Sequence, residues 1–244
     1  MQKIFLDSES GKTCCNFEHV TASTSCVIIL HGYLSDKTSR TGTELALRLN
    51  QAGISTIAVD LYGHGESEGD IEHLTLSKAI ANSLAVHDFI KKEGFIKIGL
   101  VGSSFSGLVS LVVATKRPIT VLSLKCPAFD YSRLWRDRLG EDGLKKWKEL
   151  AFIEPFDRKM HYEMYDDSLL YDPHKIAAKI SIPTLVIHGD KDVTVPSFHA
   201  QELISSVKGE KRLVLIKGAD HFFKDKNHFE EMVSTSFEWL KKNL

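Results

Sequence analysis

Residues 96–107 read Ile96-Lys97-Ile98-Gly99-Leu100-Val101-Gly102-Ser103-Ser104-Phe105-Ser106-Gly107. The apolar run Ile96 to Val101 predicts a buried strand. Leu108, Val109, Leu111 and Val112 mark the packed face of a helix spanning Phe105 to Thr115. A serine on so sharp a strand-to-helix turn must adopt strained backbone angles. Only small residues two before and two after it leave room, and Gly102 and Ser106 fill those positions. Gly107 lets the helix approach its neighbours. The turn lifts the Ser104 hydroxyl above the carboxyl edge of a sheet, beside a helix N-terminus that favours a developing anion. Ser103 and Ser106 compete for the role. Only Ser104 has a glycine at minus two with small residues at plus two and plus three. The plainer reading, a serine capping a helix at a glycine turn, does not explain the pattern that surrounds it.

Outward from this turn, short apolar runs alternate with amphipathic ones. Cys26–Leu30, Ser55–Val59, Val121–Leu124, Pro183–Ile187 and Arg212–Ile216 read as further buried strands. Helical patterns cover Thr43–Ala52, Leu76–Lys92, Ser197–Val207 and Phe229–Lys242. Such repetition requires an α/β architecture, a mostly parallel sheet covered by helices on both faces. Lys3–Leu6 and Thr13–Val20, flanking Ser10-Gly11-Lys12, predict an antiparallel hairpin at the start of the sheet.

One interval breaks the rhythm. Residues 127–175 contain no clear strand yet hold nine of the 22 aromatic side chains. Asp130 predicts the N-cap of a helix whose Tyr131, Leu134, Trp135 and Leu139 share a face. Leu144, Trp147, Leu150 and Ala151 repeat the pattern after Gly143. The expectation is a core of residues 1–126 and 176–244 with an inserted, mostly helical cap at 127–175. Any single cap aromatic is expected to glue cap to core, while the cluster as a whole is expected to meet a ligand pocket.

Composition sets the class. The chain has 244 residues, 43% hydrophobic and 26% charged, as in a globular domain. With 31 basic and 32 acidic residues the formal charge is −1, which argues against partners recognised by bulk electrostatics, nucleic acids and acidic membranes among them. Local patches are compatible with that balance. Cys14, Cys15, Cys26 and Cys126 have neither zinc spacing nor a CxxC motif and read as reduced thiols. The first residues lack a signal-peptide pattern, and no apolar run approaches a membrane span, so a cytoplasmic protein is expected.

A serine nucleophile needs a base, and the base an orienting carboxylate. Gly189-Asp190-Lys191-Asp192-Val193-Thr194-Val195-Pro196 follows a strand and places Asp192 at the carboxyl edge of the sheet. Asp190 is the rival acid, better suited to bonding turn amides. Lys217-Gly218-Ala219-Asp220-His221 follows the last strand and places His221 in a loop. The order Ser104, Asp192, His221 is that of a known catalytic arrangement. Of the 11 histidines, His31, His64, His188 and His228 also lie near strand ends or near His221. Structural or supporting roles are expected for these. An oxyanion hole needs two convergent amides. Phe105 supplies one, and Tyr33, in the turn Leu30-His31-Gly32-Tyr33-Leu34, the other. The chemistry requires no cofactor or metal. Gly63-His64-Gly65 lacks the lysine and spacing of a phosphate loop.

On these residues the chain resembles the α/β-hydrolase superfamily over nearly its whole length. The matching pieces are the His31-Gly32-Tyr33 turn, Asp60-Leu61-Tyr62-Gly63-His64-Gly65-Glu66-Ser67, the Ser104 turn and the Asp192 and His221 loops. Within the superfamily it is most similar to small bacterial carboxylesterases of the feruloyl (cinnamoyl) type. The resemblance implies a two-step acyl transfer on a small-molecule ester, with Ser104 as nucleophile, His221 as proton carrier, Asp192 as its orienter and the Tyr33 and Phe105 amides as oxyanion donors. It extends to thioesterases, amidases, acyl peptidases, carbon–carbon bond hydrolases and, less readily, to ligand-binding relatives without turnover. Ser106 departs from the usual glycine after the nucleophile. The Gly-Ser-Ser-Phe start also resembles serine peptidases of the prolyl oligopeptidase group, whose large propeller domain has no room here.

Overall fold

The computed structural model describes residues 1–244. Its main sheet has eight strands: β1 (Gln2–Ser8), β2 (Gly11–Glu18), β3 (Ser25–Leu30), β4 (Ser55–Val59), β5 (Lys97–Ser103), β6 (Val121–Lys125), β9 (Thr184–Gly189) and β10 (Lys211–Ile216). They lie side by side in the order β1-β2-β4-β3-β5-β6-β9-β10. From β4 to β10 all pairings are parallel, and β2 runs against both its neighbours. This is the α/β-hydrolase fold. Strands β3, β4 and β9 are buried along their whole length, as their unbroken apolar runs require. The chain winds from β3 outward to β4, then returns past β3 to β5 and on to β6. The β3–β5 junction is thus the point where strand order reverses, and there a crevice opens at the carboxyl edge.

Helices α1 (Arg40–Gln51) and α8 (Lys226–Asn243) cover one face, their Leu45, Leu49, Val233 and Trp239 joining Val27, Ile29, Val121 and Leu185 in one apolar cluster. Helices α2 (Leu76–Lys92), α3 (Ser106–Lys116) and α7 (Phe198–Ser206) cover the other. Two of these helices begin three residues before the stretch their apolar pattern predicts. The cause is capping: Ser39 accepts the Gly42 amide, and Asp225 accepts those of Asn227 and His228. No helix is long and apolar enough to cross a membrane.

Residues 127–177 form α4 (Tyr131–Leu150), a pair of two-residue strands β7 (Phe152–Ile153) and β8 (Met160–His161), α5 (Glu163–Ser168) and α6 (Pro173–Ala177), which crosses the expected cap boundary at residue 175. Asp130 caps α4 by accepting the Arg133 amide at 2.9 Å. The helix breaks at Gly140, whose φ of 64° leaves the helical region, rather than at Gly143. The strand pair β7–β8 is too short to leave a periodic signature. Trp147, fully buried, donates its indole N–H to the Met160 carbonyl at 3.0 Å and packs edge-on against Trp135 and Tyr162. These side chains continue the apolar layer over α2 and α3 without a break.

The Asp60–Ser67 loop is built on one buried carboxylate. Asp60 takes the Lys37 amide at 2.7 Å, the Lys37 ammonium at 2.6 Å and the Glu66 amide at 2.8 Å. A side chain at Gly65 would place its Cβ 2.1 Å from that carboxylate, so only glycine fits. Lys37 and Asp60 side chains are 6% and 0% exposed. Removing Asp60 leaves the buried Lys37 ammonium with only the half-exposed Glu66 carboxylate, at 3.0 Å, and orphans two backbone amides. Asp60→Ala should therefore lower unfolding stability by about 3–5 kcal/mol. Urea melts of the two proteins measure it, and a loss under about 1 kcal/mol would contradict a buried, fully used ion pair.

Candidate active site

The turn between β5 and α3 carries Ser104 at φ 51°, in the left-handed region that L-residues avoid. Its amide is held by the Lys125 carbonyl of the neighbouring strand at 2.9 Å, and its own carbonyl accepts the Gly107 and Ala128 amides. A Cβ on Gly102 would sit 2.3 Å from Ser110 Oγ and 2.7 Å from the Ser106 carbonyl. One on Gly107 would sit 2.4 Å from Pro127 Cβ. Both glycines are thus required by close approach. Ser106 takes part in the turn itself. Its hydroxyl accepts the Ser103 amide at 2.7 Å and lies 3.0 Å from both the Leu30 and Ser103 carbonyls, tying the end of β5 to that of β3.

The three chemistry-bearing residues expected from sequence come together. His221 Nε2 lies 3.0 Å from Ser104 Oγ, and His221 Nδ1 lies 2.6 Å from Asp192 Oδ2. Asp192 and His221 are buried, while Ser104 is partly exposed. Asp192 is heavily used. Its Oδ1 accepts the Thr194 and Val195 amides, each at 2.8 Å, and its Oδ2 also faces His188 Nε2 at 3.1 Å. Burial alone would raise this carboxyl, but the bonds from His188 and His221 outweigh it and hold it well below the usual carboxylate range. Asp190 instead accepts the Gly218 amide at 2.6 Å and fixes the neighbouring turn. Cys126, His188 and Asp192 bring potential metal-ligand atoms within 4.8 Å of one another. Both Asp192 oxygens are already committed to hydrogen bonds.

Gly32 brings the turn after β3 against the nucleophile turn. An added Cβ would meet Ser104 Cβ at 3.3 Å. The amides of Tyr33 and Phe105 donate to no protein acceptor. Two histidines shape this region. His31 accepts the Leu61 amide at 3.0 Å through Nε2, and His64 accepts the Leu34 amide at 3.3 Å through Nε2. Burial, reinforced by His64, pushes the His31 imidazole down to about 4, so it stays neutral and keeps that acceptor. His228 lies outside the cavity lining.

Above Ser104 lies a cavity of about 370 Å³. From residues 127–175 its walls take Tyr131, Trp135 and Phe156. The other aromatics of that segment do not line it. Trp147, Tyr162 and Tyr165 pack on one another, and the Tyr171 hydroxyl bonds Ser77 at 2.7 Å. Both cations on the walls, Lys125 and Arg138, escape the sequence reading. The signal for Lys125 was present: a charge ends the apolar strand Val121-Leu122-Ser123-Leu124, beside the nucleophile strand. Arg138 stacks over Trp135 at 5.2 Å and donates to the Thr194 carbonyl.

Comparison with known proteins gives the family and the fold. The serine aminopeptidase, S33 family matches residues 21–168. The human serine hydrolase BPHL is 24% identical over 79% of this chain and 72% of its own. Bovine palmitoyl-protein thioesterase ABHD10, mitochondrial, is 25% identical over 88% of this chain and 73% of its own. The solved structure of Est1E from Butyrivibrio proteoclasticus with ferulic acid bound superposes with a TM-score of 0.87 at 25% identity, covering 98% of each chain. Mouse alpha/beta hydrolase domain-containing protein 10 shares the fold, with a TM-score of 0.84 at 20% identity over 99% of each chain. The chain belongs to the serine aminopeptidase, S33 family of α/β-hydrolases and is a serine hydrolase.

Proposed function

We propose that this hydrolase is a carboxylesterase in which Ser104 is the nucleophile, His221 the proton carrier and Asp192 the orienting carboxylate. The supporting observation is the unbroken run from Ser104 Oγ to His221 Nε2 at 3.0 Å and from His221 Nδ1 to Asp192 Oδ2 at 2.6 Å, in the floor of an aromatic-walled cavity. Asp192 accepts the Nδ1–H of His221, which leaves Nε2 free to accept the Ser104 proton. As that proton moves, Oγ bonds to the ester carbonyl carbon. The carbonyl oxygen gains the negative charge, which the Tyr33 and Phe105 amides stabilise. The tetrahedral intermediate collapses, and His221 returns its proton to the departing alkoxide. Water then attacks the acyl-Ser104 ester and gives a proton to His221. Collapse breaks the bond to Oγ, which recovers the proton as the acid leaves.

In this reading residues 127–175 act as a cap over the leaving and acyl groups. Tyr131, Trp135 and Phe156 favour a flat aromatic group, in keeping with the likeness to Est1E holding ferulic acid. Apart from the histidines, the ionisable acid and base side chains on the walls reduce to two cations, Lys125 and Arg138, and Tyr33 and Tyr131 as phenols. That lining fits poorly around the ammonium of an aminopeptidase substrate and so favours esters. Thioester hydrolysis is the second reading, supported by the thioesterase relatives.

Three outcomes are expected. Ser104→Ala should abolish turnover of p-nitrophenyl acetate while circular dichroism and melting temperature stay near those of the parent. Undiminished turnover would remove Ser104 from the mechanism. Asp192→Asn should lower kcat by about 10³- to 10⁴-fold, because an amide no longer fixes the required His221 tautomer. A loss of only about twofold would show that Asp192 does not orient the base. Across a panel of matched esters and thioesters, methyl ferulate and related cinnamoyl esters should show the highest kcat/KM. A maximum at long aliphatic thioesters would favour the second reading.

A further inference from the structure

Lys125 has no part in the chemistry described above, yet it stands next to it. Strands β5 and β6 pair Ser103 with Lys125, and the Lys125 carbonyl holds the Ser104 amide at 2.9 Å. Its side chain is partly buried and lines the cavity. The ammonium makes no ion pair and no hydrogen bond to the protein; the Phe223 ring lies 5.5 Å from it.

The acids nearest in effect are Asp192 and Asp220. Asp192 is filled by the Thr194 and Val195 amides and by His221 and His188. Asp220 accepts the Lys224 amide at 3.1 Å. Neither reaches the ammonium as an ion-pair partner. Burial pulls the Lys125 amine below the usual lysine range, which is the mark of a cation paying for lost water without a full counter-charge. A half-buried lysine of this kind is costly unless an anion joins it. The cavity walls supply none: no aspartate or glutamate lines them, and the second cation, Arg138, stands on the cap side. The overall charge of −1 hides this local excess of positive charge.

We infer that the cavity takes esters bearing a carboxylate, with the Lys125 ammonium as its counter-ion beside Ser104. The inference rests on the ester-hydrolase reading of Ser104, His221 and Asp192, and it adds a substrate class to it. Lys125, on β6, and Ser104, just after β5, line the same cavity, which calls for a carboxylate a short spacer away from the scissile carbonyl. A half-ester of a short dicarboxylic acid meets this requirement on the acyl side. An ester of a hydroxybenzoate meets it on the leaving-group side.

Two matched pairs of esters test the inference and separate the two sides. The first is the mono-p-nitrophenyl ester of glutarate against its methyl diester. The second is para-acetoxybenzoate against its methyl ester. For one pair, the wild-type ratio of kcat/KM, anionic over neutral, should fall by roughly 10- to 100-fold in Lys125→Met, chiefly through KM. Lys125→Arg should retain most of the ratio. In the wild type itself, added salt should shrink that ratio. Wild-type ratios that ignore salt, or equal ratios in wild type and Lys125→Met for both pairs, would overturn the carboxylate subsite while leaving the esterase reading in place. Failure of all the esters to turn over in the wild type would overturn both.

Discussion

Ser104 is held at φ 51° on a turn that leaves its neighbours almost no room. A non-glycine residue in that region costs on the order of 1–3 kcal/mol, so the surrounding structure must over-determine it. It does so from several sides. The Lys125 carbonyl fixes the Ser104 amide, the Ser106 hydroxyl binds the ends of β3 and β5 together, and Gly102 and Gly107 allow contacts that any side chain would block. Everything else in the site is placed relative to this turn. The amide of Phe105 is left without a protein acceptor because the chain turns there, and the turn carrying Tyr33 lies close against Ser104 at Gly32. His221 arrives from the far end of the sheet, and its distance to Oγ depends on where the turn puts that oxygen.

The carboxylate end of the arrangement is held equally firmly. Asp192 has backbone amides on one oxygen and imidazoles on the other. Such a carboxylate stays ionised and cannot rotate, which are the two properties needed to keep the His221 ring in one tautomer and one orientation. The loops on the opposite side of the crevice are built by a different device, the buried Lys37–Asp60 pair and the His31 and His64 acceptors. These groups hold the shape of the loops around the Tyr33 turn. A histidine count would have suggested more catalytic candidates than the geometry uses.

Much of this was legible in the chain because it depends on local chemistry. The run Ile96–Val101 followed by Gly-x-Ser-x-Ser specifies a strand, a tight turn and a helix without reference to anything distant. Local turn chemistry does not separate Asp190 from Asp192: Asp192 bonds the nearby Thr194 and Val195 amides, and Asp190 bonds distant Gly218. Ser39 and Asp225 also carried helix-start signals, which the apolar period alone passes over. What the sequence could not show was which members of a cluster face inward. Trp135 and Trp147 have similar surroundings in the sequence, yet one lines the cavity and the other is sealed beneath it. Their fates are set by the break at Gly140 and by the short β7–β8 pair. Lys125 carries a signal, the charge that ends an apolar strand, but its meaning comes from the strand beside it.

The central claim is that the strained turn presents Ser104, and no neighbouring serine, as an activated nucleophile. Reaction with a fluorophosphonate probe, followed by fragment-level mass spectrometry of the peptide holding Ser103, Ser104 and Ser106, addresses it directly. The account predicts one adduct, on Ser104, formed rapidly in the native protein and lost on unfolding. An adduct on Ser103 or Ser106, or no adduct on the folded protein, would contradict it.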